Sequence, residues 1–363
     1  MKLDGVRVLD LSAFLPGPHA SMMMADHGAE VIMVEPDNGV GEPTRRMGET
    51  YADGTSVWFA NIARGKRSYR VNLKDEAEHA RFLDLAATAD VVIEAFRPGV
   101  VARLGVDYDA IRAVNPAVIY CSISAFGQAG RYRDKPAHDL VVQAMAGTAD
   151  LTRGMDGAPA LTPLPSADFA ASSHTLAGIA MALYRRTVTG EGDHLDISMY
   201  DSLLSWVPNV TGAVFAEGRQ PERAEMRSFG GNAFVNIYDT SDGGHIVLGG
   251  SEPKFVANLL GHLGREDLIP QMSRPVGQQG AVKAALADIF ASRTQAEWEA
   301  ELADVDCCWS PIRTLHEAFT EEGAPLIREG GRTHIANPIR FRHEPARPDL
   351  RLPGYGEHTG DFP

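Results

Sequence analysis

The first 125 residues alternate short apolar runs with amphipathic stretches. VRVLDLS is a β-rich run ending in the turn AFLPGP. HASMMMADHG has helical character and stops at a glycine, and AEVIMVEP is a second apolar strand ending in Glu35. That βαβ pattern continues. EAEHARFLDLAATA reads as an amphipathic helix, ADVVIEAF as a strand, DYDAIRAVN as a helix and AVIYCSISAFG as another strand. Strands alternating with helices of this size predict an α/β fold with a Rossmann-like, doubly wound parallel sheet. The pattern changes after KPAHDL. DFAASSHTLAGIAMALYRR, residues 168–186, predicts a helix lined with small residues and packed closely to its neighbours. GEGDHLDISM reads as a hairpin-like turn and strand, and YDSLLSWVPNVTG as helical until its proline.

The pattern divides the chain into a large domain over 1–217, a polar linker over 218–228, and a smaller α+β domain over 229–320. In the small domain, FVNIYDTSDGGHIVLGG predicts two strands around an S-D-G-G turn. EPKFVANLLGHLG and residues 281–303 predict helices. The segment 321–363 is expected to return to the large domain. There is no internal repeat.

Composition narrows the function classes. At 363 residues, 44% hydrophobic and 23% charged, the chain can bury a substantial core. A formal net charge of −14 disfavours nucleic acid or an anionic membrane as partner. No apolar run approaches the roughly 20 residues of a membrane span. The opening MKLDGVRVLDLS reads as a strand, not a secretory signal, so a cytoplasmic location is expected. Cys121, Cys307 and Cys308 have neither disulfide nor zinc-ligand spacing. They are expected to be packing residues in a reducing compartment, and no metal site is expected.

The first turn carries the single Gly17 where a dinucleotide fold wants G-x-G-x-x-G, which weighs against NAD, although Glu35 is placed to hold a ribose hydroxyl. P-loop, G-x-S-x-G and H-E-x-x-H patterns are absent. NIARGKRSYRVNL is more informative. Behind Asn61 it sets Arg64, Lys66, Arg67 and Arg70 within seven residues, and Arg45, Arg46 and the Arg97–Gly99 turn add to it. Such a run is either a solvated face or a clamp for the phosphates of a small molecule. His138 and Asp139 follow a proline and an alanine, and Asp168 opens the small-residue helix. Each is a plain cap or polar group if taken alone. Together they form a possible acid–base set.

GVRVLDLSAFLPGPHASMMMADHGAEVIMVEP, NIARGKRSYRVNLK, EAFRPGVVARLGV and SISAFGQAGRYRDKPAHDL, in this order, resemble the family III CoA-transferase superfamily, the CaiB/BaiF group. Within it the chain is most similar to the α-methylacyl-CoA racemase branch, through His138–Asp139, Asp168–Phe169 and Glu252–Pro253. The resemblance implies two chains interlocked as a homodimer and coenzyme A bound as part of an acyl-CoA substrate. It implies no further cofactor. Ala137, Ala167 and QAMAG depart from the racemase pattern and put the acyl pocket in question.

Racemising a 2-methylacyl thioester of fatty acid metabolism needs two groups on opposite faces of the α-carbon, one protonated and one not. His138 and Asp168 are expected to be that pair. Glu252 would steady the imidazole, Asp139 would position the loop, and backbone N–H groups at the Asp168 helix start would hold the enolate oxygen. The alternative is a CoA-transferase in which Asp168 attacks the thioester to form an acyl anhydride.

Overall fold

The computed structural model describes residues 1–154 and 157–362. The chain forms two units, Met1–Trp206 with Pro325–Pro363, and Val207–Ala324. The first unit contains β1 (Arg7–Asp10), α1 (Pro16–Asp26), β2 (Glu30–Pro36), α2 (Val57–Ala63), β3 (Lys66–Val71), α3 (Glu76–Ala86), β4 (Val91–Glu94), α4 (Val100–Arg103), α5 (Tyr108–Val114) and β5 (Ile119–Ser124). It continues through α6 (Asp139–Met145), α7 (Thr148–Leu151), α8 (Ser166–Thr189), β6 (Asp193–Ser198) and α9 (Met199–Leu204). Its six strands are ordered β3-β2-β1-β4-β5-β6 and all pair in parallel, the doubly wound order expected.

Both faces of the sheet are covered, so its central strands are largely apolar and their successive residues enter opposite layers. Val8, Val31, Ile93 and Cys121 face a layer completed by α1 and α8. Leu9, Ile32, Val92 and Tyr120 face one built on Phe82 of α3 and Ile111 of α5. The small residues of α8 let it lie close to the sheet: a Cβ added at Gly178 would stand 2.7 Å from Leu195 of β6. The turn after α8 is not a hairpin. Gly190 ends the helix at φ +73°, and β6 runs parallel to β5.

The second unit contains α10 (Gly212–Glu217), β7 (Val235–Asp239), β8 (His245–Gly249), α11 (Pro253–His262), α12 (Gly280–Phe290), α13 (Gln295–Leu302), β9 (Trp309–Pro311) and α14 (Leu315–Thr320). Its strands form an antiparallel β7-β8-β9 sheet packed on the helices through Phe234, Leu248, Leu259, Phe290 and Trp298. The run 218–228, expected as a linker, lies inside this unit, and Arg223 there donates to the Phe229 carbonyl at 3.2 Å. The crossings fall at 206/207 and 324/325. After the second crossing, β10 (Leu326–Glu329) and β11 (Arg332–Ile335) form a hairpin within the first unit.

Cys121 is buried and Cys307 half-buried, whereas Cys308 is exposed and so does not fit the packing role expected of it. Among the described residues no helix is long and apolar enough to cross a membrane.

Candidate active site

The first unit has a cavity of about 630 Å³ at the C-terminal ends of β1 to β4, where the strand order reverses. Doubly wound sheets bind ligands at this switch point because the loops there diverge to opposite faces. Phe14, Pro36, Asn72, Lys74, Phe96 and Arg97 are among its lining residues. Of the expected cation cluster, this cavity takes Arg97 alone.

The other cations are engaged elsewhere. Arg64, 1% exposed, makes a two-pronged pair with Asp26 at 3.0 and 2.7 Å. Lys66 is buried against Asp10 at 3.0 Å, Ser21 at 2.7 Å and the Pro18 carbonyl at 2.9 Å. Arg45 grips both oxygens of Glu35 at 2.8 Å and stacks over Phe59. Glu35 itself lies buried between Arg45 and the Glu42 amide. Arg67 joins Glu30 to Asp361, and Arg70 meets Asp37 at 3.3 Å. Arg46 donates to the Gly39 carbonyl. Asn61 bridges the Val57 carbonyl and the Ile335 amide. Gly99, at φ +84°, precedes α4. The run expected as one phosphate clamp is thus largely a set of internal ties, because acids distant in sequence stand opposite it.

The acid–base candidates converge. His138 is the residue before α6, and its ring makes no capping hydrogen bond. The next residue, Asp139, reaches the start of α8, where its Oδ1 accepts the amides of Ala167 at 2.7 Å and Asp168 at 3.1 Å. Gln143 donates to the other Asp139 oxygen and to the Leu164 carbonyl. The 29 residues from Asp139 to Asp168 are closed by this remote cap, which draws His138 and Asp168 to one locality. No proton donor of the described residues reaches the Asp168 carboxylate. Burial pushes that carboxyl up to about 7, and the Asp139 charge adds to the push.

One expectation fails here. The remaining first-turn amides of α8 are also occupied: Ser166 donates to Leu164 and Phe169 to Pro165. With Asp139 holding the other two, the Asp168 helix start has no free donor for an enolate.

Two neighbours had no reading in the sequence. Phe14 sets its ring edge-on to His138, with centroids 5.8 Å apart. His19 on α1 joins its Nδ1 to Ser172 Oγ at 2.8 Å and stacks edge-on against Phe169. Burial, with Lys66 and Arg64 nearby, pulls His19 down to about 4, so its imidazole stays neutral. Its place in GPHA at a helix start is a weak signal; Phe14 gives none.

Glu252 belongs to the second unit, as the residue before α11. Its carboxylate is 58% exposed and stands 3.9 Å from Arg227.

The profile of CoA-transferase family III matches residues 3–359. The chain belongs to that family. It is 34% identical to the mouse alpha-methylacyl-CoA racemase, over 99% of this chain and 92% of that protein. It is also 34% identical to the acetyl-CoA:oxalate CoA-transferase of Acetobacter aceti, over 93% and 88%. The crystal structure of a CAIB/BAIF family protein from Brucella suis superimposes with a TM-score of 0.86 at 30% identity, covering 99% of this chain and 97% of that one. Family III therefore accounts for both the six-stranded sheet and the second unit, and its members include racemases as well as transferases.

Proposed function

We propose that this family III protein is an acyl-CoA racemase acting on a 2-methyl-branched thioester. One observation carries the reading: an unpaired carboxyl, Asp168, is held near neutrality beside the turn that bears an imidazole, His138. At neutral pH such a carboxyl is present in both forms, as a group that takes a proton in one direction and returns it in the other must be. His138 serves as the opposite member of the pair. The α-proton moves to one group, the electron pair passes to the thioester carbonyl as an enolate, and the other group delivers a proton to the opposite face. Coenzyme A occupies the 630 Å³ cavity, with Arg97 and Lys74 as its phosphate partners. Asp139 holds the α8 start in place.

In D₂O, a (2R)-2-methylacyl-CoA should exchange its α-hydrogen without any acceptor acid, and His138→Gln should abolish the exchange. Full exchange in His138→Gln would sink the two-base assignment.

The transferase reading has the 34% identity to the acetyl-CoA:oxalate enzyme in its favour. On that reading Asp168 Oδ attacks the thioester carbon and CoA thiolate leaves. An acceptor carboxylate then displaces the first acid from the acyl-aspartyl anhydride, and the thiolate attacks the acceptor's acyl carbon, forming the new thioester and freeing Asp168. Hydroxylamine trapping of an acyl-Asp168 species, with no α-exchange, would select it. A homodimer is part of our reading, supported by the exposed apolar Met181, Tyr184 and Val188 at helical spacing on α8. Light scattering tests it.

A further inference from the structure

Phe14 is the one non-glycine residue with positive φ among the described residues, at +67°. A bulky side chain rarely occupies that region, because its Cβ crowds the following carbonyl. Phe14 is 37% exposed, so it is not a core residue forced into that conformation by close packing. Backbone strain of this kind persists only where surrounding contacts impose it, and it concentrates at functional sites.

The imposing contact is visible. The Phe14 amide donates to Oε1 of the buried Glu42 at 2.9 Å. Glu42 is itself fixed: its Oε2 accepts the Thr44 amide and hydroxyl, and its own amide donates to Glu35, the residue gripped by Arg45. The strained residue is thus anchored through two carboxylates to the turn after β2. So held, the Phe14 ring lines the nucleotide cavity and also meets His138 edge-on, with planes at 80°. Among the described residues of the first unit, no hydrogen bond or ion pair orients the His138 ring. An imidazole that must face an α-carbon, and lacks such a bond, needs packing to hold its angle.

We propose that Phe14 is a positioning residue for His138: its left-handed backbone, pinned by Glu42, holds the ring edge-on against the imidazole at the margin of the cavity and so sets the imidazole's orientation. The kinetic consequence rests on the racemase reading; the structural one does not.

The test uses the full chain with Phe14→Gly, which accepts the backbone conformation, Phe14→Leu, which keeps apolar bulk without the aromatic edge, and Phe14→Tyr, which keeps the ring. In the resting protein, the His138 ring resonances, assigned by their loss in His138→Gln, should move in the Gly and Leu variants and stay in place in the Tyr variant. With (2R)-2-methylacyl-CoA in D₂O, Phe14→Gly should lower the kcat of exchange by up to about 10²-fold, the scale of a misplaced catalytic group. KM should change by less than about threefold. Its Tm should change little, since relief of the left-handed strain offsets the apolar burial lost. Phe14→Tyr should recover most of kcat. Unmoved His138 resonances in both Phe14→Gly and Phe14→Leu would overturn the proposal, as would a loss carried wholly by KM. If the parent protein shows no α-exchange, the racemase reading falls, and the resonances alone decide the role of Phe14.

Discussion

Replacing Asp168 by Asn should inactivate the protein and stabilise it, but only above a definite pH. In the folded chain the Asp168 carboxyl keeps its proton to about pH 7, against an ordinary value of 3.8. That gap corresponds to at most about 4 kcal/mol. Between the two values the folded state binds a proton that the unfolded state has released. Stability therefore falls as pH rises through this window and levels off above it. Asn is the neutral isostere and carries no such penalty. Relative to the parent, Asp168→Asn should be nearly neutral at about pH 4 and more stable by about 2–4 kcal/mol at about pH 8. Comparing the two pH values removes the fixed cost of swapping a hydroxyl for an amide. The two units need not unfold together, so the probe must belong to the first. Cys121, fully buried in its sheet, is suitable: pulsed alkylation of its peptide along a urea series reports that unit, while the half-buried Cys307 reports the other. An advantage that is the same at both pH values, or larger in acid, would refute the assignment of a raised carboxyl.

Asp139→Ala should cost about 1 kcal/mol by uncapping α8. It should also move the acidic limb of the pH–rate profile downward, because the like charge that helps raise Asp168 is gone. Arg64→Ala should lose about 3–5 kcal/mol by stranding the buried Asp26, read by thermal unfolding. Its CoA affinity, measured by calorimetry on the protein that remains folded, should stay that of the parent. Arg97→Ala should do the opposite, with Tm unchanged and CoA binding weaker by about tenfold and less sensitive to salt.

The sheet was legible because both its faces are buried. VRVLD, VIMV, VVIE and VIYCSIS are mostly apolar on both faces, and the helices between them show one apolar side. The same uniformity explains why β6 was harder to place. As an edge strand, DHLDIS exposes half its residues, and nothing local distinguishes a parallel partner from a hairpin. His138, Asp139 and Asp168 stood out through residue type and resemblance, but their division of labour did not. That Asp139 occupies the amides expected to hold an enolate follows from a closure between α6 and α8 that no spacing announces. The arginine run misled for a related reason. Its charge is plain in sequence, whereas its partners, Asp10, Asp26, Glu30 and Asp361, are scattered from one end of the chain to the other. Whether a cation binds ligand or neighbour depends on which acid stands opposite.

The division at 206/207 and 324/325 bears on how the molecule is made. The smaller unit is continuous, so it has all its residues as soon as they emerge from the ribosome. The larger unit must wait, because Asn337 donates to Asp26 beneath Arg64, His358 and Gly356 meet Ser68 on β3, and Tyr355 bonds the Pro36 carbonyl. Until those late residues arrive, one border of the sheet lacks its cover. Through that interval the nascent chain carries an open strand, and a chaperone then has most to protect.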